Sequence, residues 1–559
     1  MIRSIDEKGL IRKNVYFRGF LMLPRLPSFN APKSVALALA LGALFLTPPQ
    51  QANAQVTAFK QAVAETGSRD DDIAKFYRAQ NFEGVWTGSD EIHQARRAAL
   101  LDALRRAGDH GLPVPRYDAD ALEQQMKNAR SARDLGLIEV EMTRMFLQYA
   151  RDIQSGALIP AKVVSEIKRE VEYTDRAELI SGFLSSQPST YLRNLAPKTL
   201  EYTSLMKQKM LLQEQSTRGE WGPTVNASSL KPGASGPAVL ALRNRLMVMG
   251  YLERSNAKTY DKAMSEAVTV FQKAHGLEAD GVADSGTIKE INESIETRLK
   301  SVLVAMERER WLNKKRGYRH ILVNIPDFTA KIVDNGRITF ETRSVVGANR
   351  GDSPTPEFSD VMDHMVINPS WYVPRSIIVG EYLPALRNNP NAVRHIEITD
   401  SRGRVVNRSS ANFAKYTARN FPYSMRQPPS NRNALGLVKF MFPNKYNIYL
   451  HDTPSKNLFS REVRAFSHGC IRLADPFDFA EALLAKQEAD PMGFFKSQLR
   501  TGRESRVNLV DPVPVHIIYR TAYTDARGQL NFRKDIYGRD AKIWNALQKA
   551  GVELNRVQG

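Results

Sequence analysis

A single cysteine occurs in the 559 residues, in Ser467-His468-Gly469-Cys470-Ile471-Arg472, nineteen residues after His451. Free thiols are most often small buried hydrophobes, but the neighbours here are unusual. On an extended segment alternate residues share a face, so His468, Cys470 and Arg472 point the same way. An imidazole and a guanidinium beside a thiol both favour the thiolate, the form that attacks carbonyl carbon. The chemistry such a cluster can do is acyl transfer. That needs a nucleophile, a base, a group to orient the base, and donors for an oxyanion. Cys470 is the nucleophile. Two bases are on offer, and spacing does not choose between them: His468, two residues away, and His451, which ends the strand Asn447–His451. In that strand Ile448 and Leu450 face a core, sending Tyr449 and His451 to the other side. Gly469 lets the backbone come close to a substrate, so the amides around Gly469 and Cys470 are natural oxyanion donors.

Other chemistries find less support. Two Ser-x-x-Lys strings occur, Ser204–Lys207 and Ser228–Lys231, but neither is joined by Lys-Thr-Gly. The nine histidines include no His-Glu-x-x-His and there is no cysteine cluster, so no metal site is expected. His93, His110, His364, His395 and His516 read as surface, cap or strand residues.

The elements that must position the cluster belong to several domains, because a chain this long exceeds one core. Hydrophobic residues make up 42% and charged residues 25%, as in ordinary globular proteins. Residues 1–54 read as a signal peptide, with Met22 an alternative start: an apolar run from Val35 to Leu46 is too short to span a bilayer, and Ala52-Asn53-Ala54 is a cleavage pattern. No integral membrane span is expected once it is removed. The net charge is +19, of which residues 1–54 contribute five. Export directs that charge to a wall polymer or membrane face rather than to nucleic acid. One cysteine permits no intrachain disulfide, and an idle exposed thiol is a liability in an oxidising compartment.

Residues 55–215 carry helical periodicity, clearest over Ala95–Ala107 and Asp134–Gln154. Residues 224–296 hold three short helices with glycine stops: Ala238–Met249, Lys262–His275, and one opening at Ser285. A charged helix over Ile288–Leu312 bridges onward, with 297–315 as linker. Short alternating strands then follow at Tyr318–Ile325, Thr329–Asp334, Ile338–Val346, Val361–Ile367, Val438–Phe442 and Val513–Tyr523, with Asp334-Asn335-Gly336 as a hairpin turn. The stretch of about 376–434 lacks periodicity and reads as a functional lid inserted into a β domain over 316–538. Pro476 starts a helix over Phe477–Lys486, and 539–559 form a C-terminal helix and tail.

Two stretches carry a family resemblance. Val239, Leu242, Leu246, Gly250-Tyr251, Phe271-Gln272, Asp280-Gly281 and Thr287 resemble a three-helix peptidoglycan-binding domain, with Arg243 where glutamine is usual. His451-Asp452-Thr453 and Ser467–Arg472 resemble the signature of the YkuD-type L,D-transpeptidases. Gly347, Thr355-Pro356, Asn368–Pro374 and Asn433–Phe440 agree, while Gln427-Pro428-Pro429-Ser430 departs where a glycine is usual near the lid's end. The whole is similar to the large periplasmic subfamily. That implies a multidomain α+β protein: a helical scaffold domain, a peptidoglycan-binding domain, and a mostly-β catalytic domain with a long lid.

The resemblance, not spacing, makes His451 the base for Cys470, oriented by the Asp452 carbonyl. It has His468 and Gly469 shape the oxyanion hole, and it puts Arg472, Ser467, Trp371 and Tyr449 against substrate. It implies 3→3 cross-linking of diaminopimelate stem peptides through a thioester with release of D-alanine, without cofactor or metal. Partners would be peptidoglycan stems and glycan, with periplasmic wall-synthesis proteins. Hydrolysis by water (an L,D-carboxypeptidase), lipoprotein anchoring, and a non-catalytic wall-binding scaffold are the alternatives.

Overall fold

The computed structural model describes residues 50–218 and 221–554. The signal-peptide reading of 1–54 falls outside them, save the backbone of 50–54, which begins a helix, Gln50–Gly67.

The N-terminal region is helical because its apolar residues recur every three or four positions between well-capped ends. Its longest helix, Ala132–Ser155, starts with a capping box in which Ser131 and Asp134 satisfy each other's backbone amides. Its core gathers Trp86, Phe146 and Phe183. The buried Glu139 carboxylate accepts the amides of Val85, Trp86 and Thr87. The second unit packs Pro237–Val248, Lys262–Ala274 and Ser285–Ile291 around Val239, Leu242, Leu246, Val268 and Phe271.

The C-terminal region is built on a sheet. Its strands are β1 (Arg319–Asn324), β2 (Thr329–Asp334), β3 (Arg337–Gly347) and β4 (Phe358–Ile367). The insertion adds β5 (Trp371–Tyr372), β6 (Glu397–Thr399) and β7 (Ser424–Gln427) as a separate three-stranded sheet. The main sheet resumes with β8 (Val438–Met441), β9 (Leu450–His451), β10 (Ala465–Ser467), β11 (Ile471–Leu473) and β12 (Ser505–Ile518). A short hairpin follows, β13 (Ala522–Thr524) and β14 (Leu530–Phe532). The main order is β10-β3-β11-β9-β8-β4-β12-β1-β2, and a further β2–β3 pairing returns the sheet on itself around the apolar core. The β2–β3 turn has positive φ at both Asn335 (51°) and Gly336 (77°), the geometry a two-residue hairpin loop requires.

Three readings change. The strand read over Asn447–His451 pairs only at Leu450–His451, because Asn444 binds the backbone of Tyr446 and Ile448 and turns the chain before it. The strand read over Val513–Tyr523 is two elements, and β12 reaches back to Ser505 across an irregularity between Asn508 and Val513. The aperiodic insertion is no bare loop: Trp371, Leu383, Leu386, Ile398, Phe413 and Phe421 give it a core of its own.

The charged helix departs furthest from its reading. It divides at Asn292–Ser294, and the longer part, Ile295–Trp311, is a buried central strut and not only a bridge. Glu307 accepts from Arg310 at 2.7 Å and from the Leu158 amide at 2.9 Å. Arg308 reaches Glu357 at 2.7 Å and Asp540 at 2.9 Å, and Glu357 also binds Arg539 at 2.9 Å. Glu309 pairs with Arg316 and Arg520. Removing one member of such a buried set strands its partners' charges. Glu357→Gln should therefore cost about 3–5 kcal/mol. Circular dichroism should report this as a lower thermal midpoint shared by helical and sheet signals; an unchanged midpoint would show the network to be unimportant.

Candidate active site

Cys470 sits just before β11, whose parallel pairing with β9 sets Arg472 beside His451 and Ile471 beside Leu450. The Ile471 amide donates to Tyr449 O at 3.0 Å, which anchors the thiol next to Tyr449. Gly469 has φ 113°, a conformation open to glycine, and an added Cβ would press on Ile448 at 3.1 Å. Its carbonyl accepts from Thr355 Oγ1 at 2.8 Å. Thr355 Oγ1 in turn accepts the Gly347 amide at 2.9 Å.

A cavity of about 730 Å³ is lined by Cys470, His451, His468, Arg472, Ser467, Tyr449 and Trp371, with the lid forming its other wall. The structure thus brings the expected side chains to one cleft; Asp452 stands behind it. Asp452 O takes His451 Nδ1. A carbonyl only accepts, so Nδ1 carries the proton. The Asp452 carboxylate serves the fold, accepting Leu437 N at 2.9 Å and Lys456 Nζ at 2.7 Å. Among the described residues no hydrogen bond joins Cys470 to His451. The thiol donates to Asn447 O at 3.4 Å instead.

The activated thiolate expected from the neighbouring charges is not the resting state. Burial pushes the Cys470 thiol up to about 11, against the lowering pull of Tyr449 and Arg472. Burial, with Arg472 nearby, lowers His451 to about 3. Both groups are neutral at ordinary pH, so desolvation outweighs the charges that the sequence placed alongside. Neutral His451 with its proton on Nδ1 leaves a lone pair on Nε2.

Two expected roles also shift. His468 points to the lid, where its Nε2 meets Glu381 Oε1 at 2.5 Å. The Gly469 amide is occupied by Ser467 Oγ at 3.1 Å, and that hydroxyl donates to Cys470 O at 2.5 Å. The Cys470 amide finds no acceptor among the described residues. Arg472 is partly buried, and its Nε lacks a hydrogen-bond partner among them. Sequence reasoning missed Glu381, carried on a wide π-type turn, Ile378–Tyr382, that no periodicity announces. Asn433 and Gln427, noted in the resemblance without a role, tie the lid's base: Asn433 Nδ2 binds the carbonyls of Pro369 and Pro428, and Gln427 binds Arg432 O and Ala434 N. Among the described residues, no three His, Cys, Asp or Glu side chains gather as for a metal ion, and no helix is long and apolar enough to cross a membrane.

A partly buried thiol and a carbonyl-oriented imidazole thus share one cleft of a lidded β domain. Comparison with known families gives it a place. Residues 318–515 match the L,D-transpeptidase catalytic domain (YkuD), 71–208 the Scaffold domain, and 235–291 the "Putative peptidoglycan binding domain". The chain carries a YkuD L,D-transpeptidase catalytic domain, joined to a scaffold domain and a peptidoglycan-binding domain. A Haemophilus influenzae protein named "Putative L,D-transpeptidase" is 33% identical over 241 residues, 41% of this chain and 47% of that protein. The match thus spans about half the length of that relative. Solved structures of L,D-transpeptidases from Xylanimonas cellulosilytica and Stackebrandtia nassauensis are 15% and 14% identical. Each covers 53% of this chain, and 98% and 97% of its own, with TM-scores of 0.17 and 0.20.

Arg472 lowers the thiol's pKa and lowers that of His451. Arg472→Met should raise both. Below the thiol's pKa the thiolate fraction falls tenfold per unit, so iodoacetamide labelling of Cys470 at pH 9 should slow by about three- to tenfold. Labelling that is unchanged or faster would contradict this account.

Proposed function

We propose that the protein is a peptidoglycan L,D-transpeptidase acting through a Cys470 thioester, exported to the periplasm and held at the wall by its peptidoglycan-binding domain. The observation that carries the reading is the shared cleft. It holds the chain's one thiol, an imidazole whose Nδ1 is fixed by a carbonyl, and a cationic side chain with an unpaired nitrogen.

A tetrapeptide stem enters between the lid and β9, with its carboxylate toward Arg472 and its apolar parts against Trp371 and Tyr449. The thiol leaves Asn447 O and passes its proton to His451 Nε2 as sulfur attacks the carbonyl of the third residue. Proton transfer concerted with attack suits two groups that rest neutral, since neither has to ionise alone. The Cys470 amide supports the oxyanion. Collapse breaks the peptide bond, and His451 returns the proton to the departing D-alanine amine. The side-chain amine of a second stem's diaminopimelate then attacks the thioester, giving its proton to His451, which restores the thiol. One peptide bond is broken and one formed, so no nucleotide is consumed. His468 acts through Glu381 as a tie between the catalytic loop and the lid, rather than as an oxyanion donor.

Incubated with tetrapeptide muropeptides, the protein should release D-alanine and form tetra–tri dimers, and Cys470→Ala should do neither. His451→Gln should lower the rate by about 10²–10⁴. Dimers formed equally by Cys470→Ala would refute the reading, and free tripeptide in place of dimer would make it a carboxypeptidase.

A further inference from the structure

A second cavity, of about 580 Å³, opens beside the cleft where the helical region, the end of the central helix and the sheet meet. Its charge is lopsided. Lys168, Arg169, Lys314, Lys315, Arg316 and Lys445 line it, against the carboxylates of Glu170 and Asp360. Some of this is answered locally: Arg316 binds Glu309 at 2.9 Å, and Lys314 lies 3.7 Å from Glu172 and 3.9 Å from Glu170. The rest is not. Lys168, Lys315 and Lys445 are exposed and have no ion pair among the described residues. Arg169 spends its guanidinium on a hydroxyl and a carbonyl, Ser359 Oγ and Ile517 O, both at 2.8 Å. Burial lowers its pKa to about 10, with Glu357 opposing the shift and Arg316, Arg308 and Arg520 adding to it. His516, on the same wall, is lowered to about 4 and adds no charge.

The groove joins the cleft. Tyr446 lines both cavities, its ring 4.9 Å from Phe358 and 5.5 Å from Lys445 Nζ. The next residue, Asn447, holds the Cys470 thiol through its carbonyl. A chain lying in the groove would approach the cleft past Tyr446. We propose that this basic groove is the acceptor subsite, binding the stem peptide of a second peptidoglycan strand through that stem's free carboxylates. The inference rests on the transpeptidase reading, which needs two stems at one thiol and leaves the second without a place. Neutral glycan gives such a surface little to bind, whereas carboxylates spaced along a peptide match separated lysines.

The test is a titration with a disaccharide-tripeptide, which lacks the fourth residue and cannot be a donor. Full-length Cys470→Ala protein is compared with the same protein carrying Lys168→Glu, Lys315→Glu and Lys445→Glu, all exposed positions whose change spares the core. Affinity should fall by about tenfold or more with a shallower salt dependence, and amidating the tripeptide's carboxylates should weaken binding to the parent comparably. Equal affinities and equal salt slopes would overturn the groove. With Cys470 intact, the lysine variant should make about tenfold less dimer while D-alanine release to hydroxylamine stays within about twofold. Unaltered dimer formation would also overturn it. Absence of any D-alanine release from the wild type would instead sink the transpeptidase reading, with the titration still reporting on the groove.

Discussion

The buried charges of one helix hold the regions of this protein together. Glu307, Arg308, Glu309 and Arg310 are consecutive, so they radiate in four directions around the helix axis and each meets a different neighbour. Glu307 takes the Leu158 amide, Arg308 takes Glu357 and Asp540, Glu309 takes Arg316 and Arg520, and Arg310 takes His110 O at 2.9 Å. Buried ion pairs contribute little net stability, because desolvation consumes most of the attraction. Their effect is on arrangement: a misplaced partner leaves a charge in low dielectric, so other dockings of these regions are penalised heavily. A purely apolar seam would tolerate sliding.

The same network continues to the nucleophile. Glu357 binds Arg539, Arg539 Nη2 binds Thr355 O at 2.7 Å, and Thr355 Oγ1 binds Gly469 O at 2.8 Å, one residue before Cys470. Tyr537 closes the ring, donating to Gly347 O at 2.5 Å and accepting the Thr355 amide at 3.3 Å. The glycine next to the thiol is thus held from behind by groups fixed in the inter-region charge set. Its other side faces the lid through His468 and Glu381, both substantially exposed. Cys470 stands between a back wall of buried hydrogen bonds and a front joined to the lid by the solvent-accessible His468–Glu381 pair.

Much of this was legible in the sequence wherever a local rule decides. The Asp334-Asn335-Gly336 hairpin follows from backbone sterics, and the three short helices of the second unit from their caps and glycine stops. Their quoted motif also explains itself: Gln272 Nε2 binds Asp280 Oδ1, Val282 O and Thr287 Oγ1 while its Oε1 accepts Gly281 N, so those residue types make one buried cluster. Even the Arg243 substitution has a partner, Asp261 at 2.9 Å. What stayed hidden depends on distant partners. Nothing local in Glu-Arg-Glu-Arg announces that Glu357, Asp540 and Arg520 surround it. The lid's core is invisible to periodicity because its apolar residues come from short, irregular pieces. The cysteine's cluster was visible, but the volume burying it was not, and that volume sets the sign of its pKa shift.

That sign decides how a thiol rests when a cation lies close by. Oxidants and disulfides react with the thiolate, and so, in the end, does an acyl carbonyl. A permanently ionised Cys470 would serve the second at the mercy of the first. With its pKa pushed up to about 11 and its proton held toward Asn447 O, the resting thiol resists both. His451, lowered to about 3, keeps its lone pair free across the pH range of any ordinary compartment. The burial that contradicts the simple charge argument is what lets a lone cysteine rest protonated close to a histidine and an arginine.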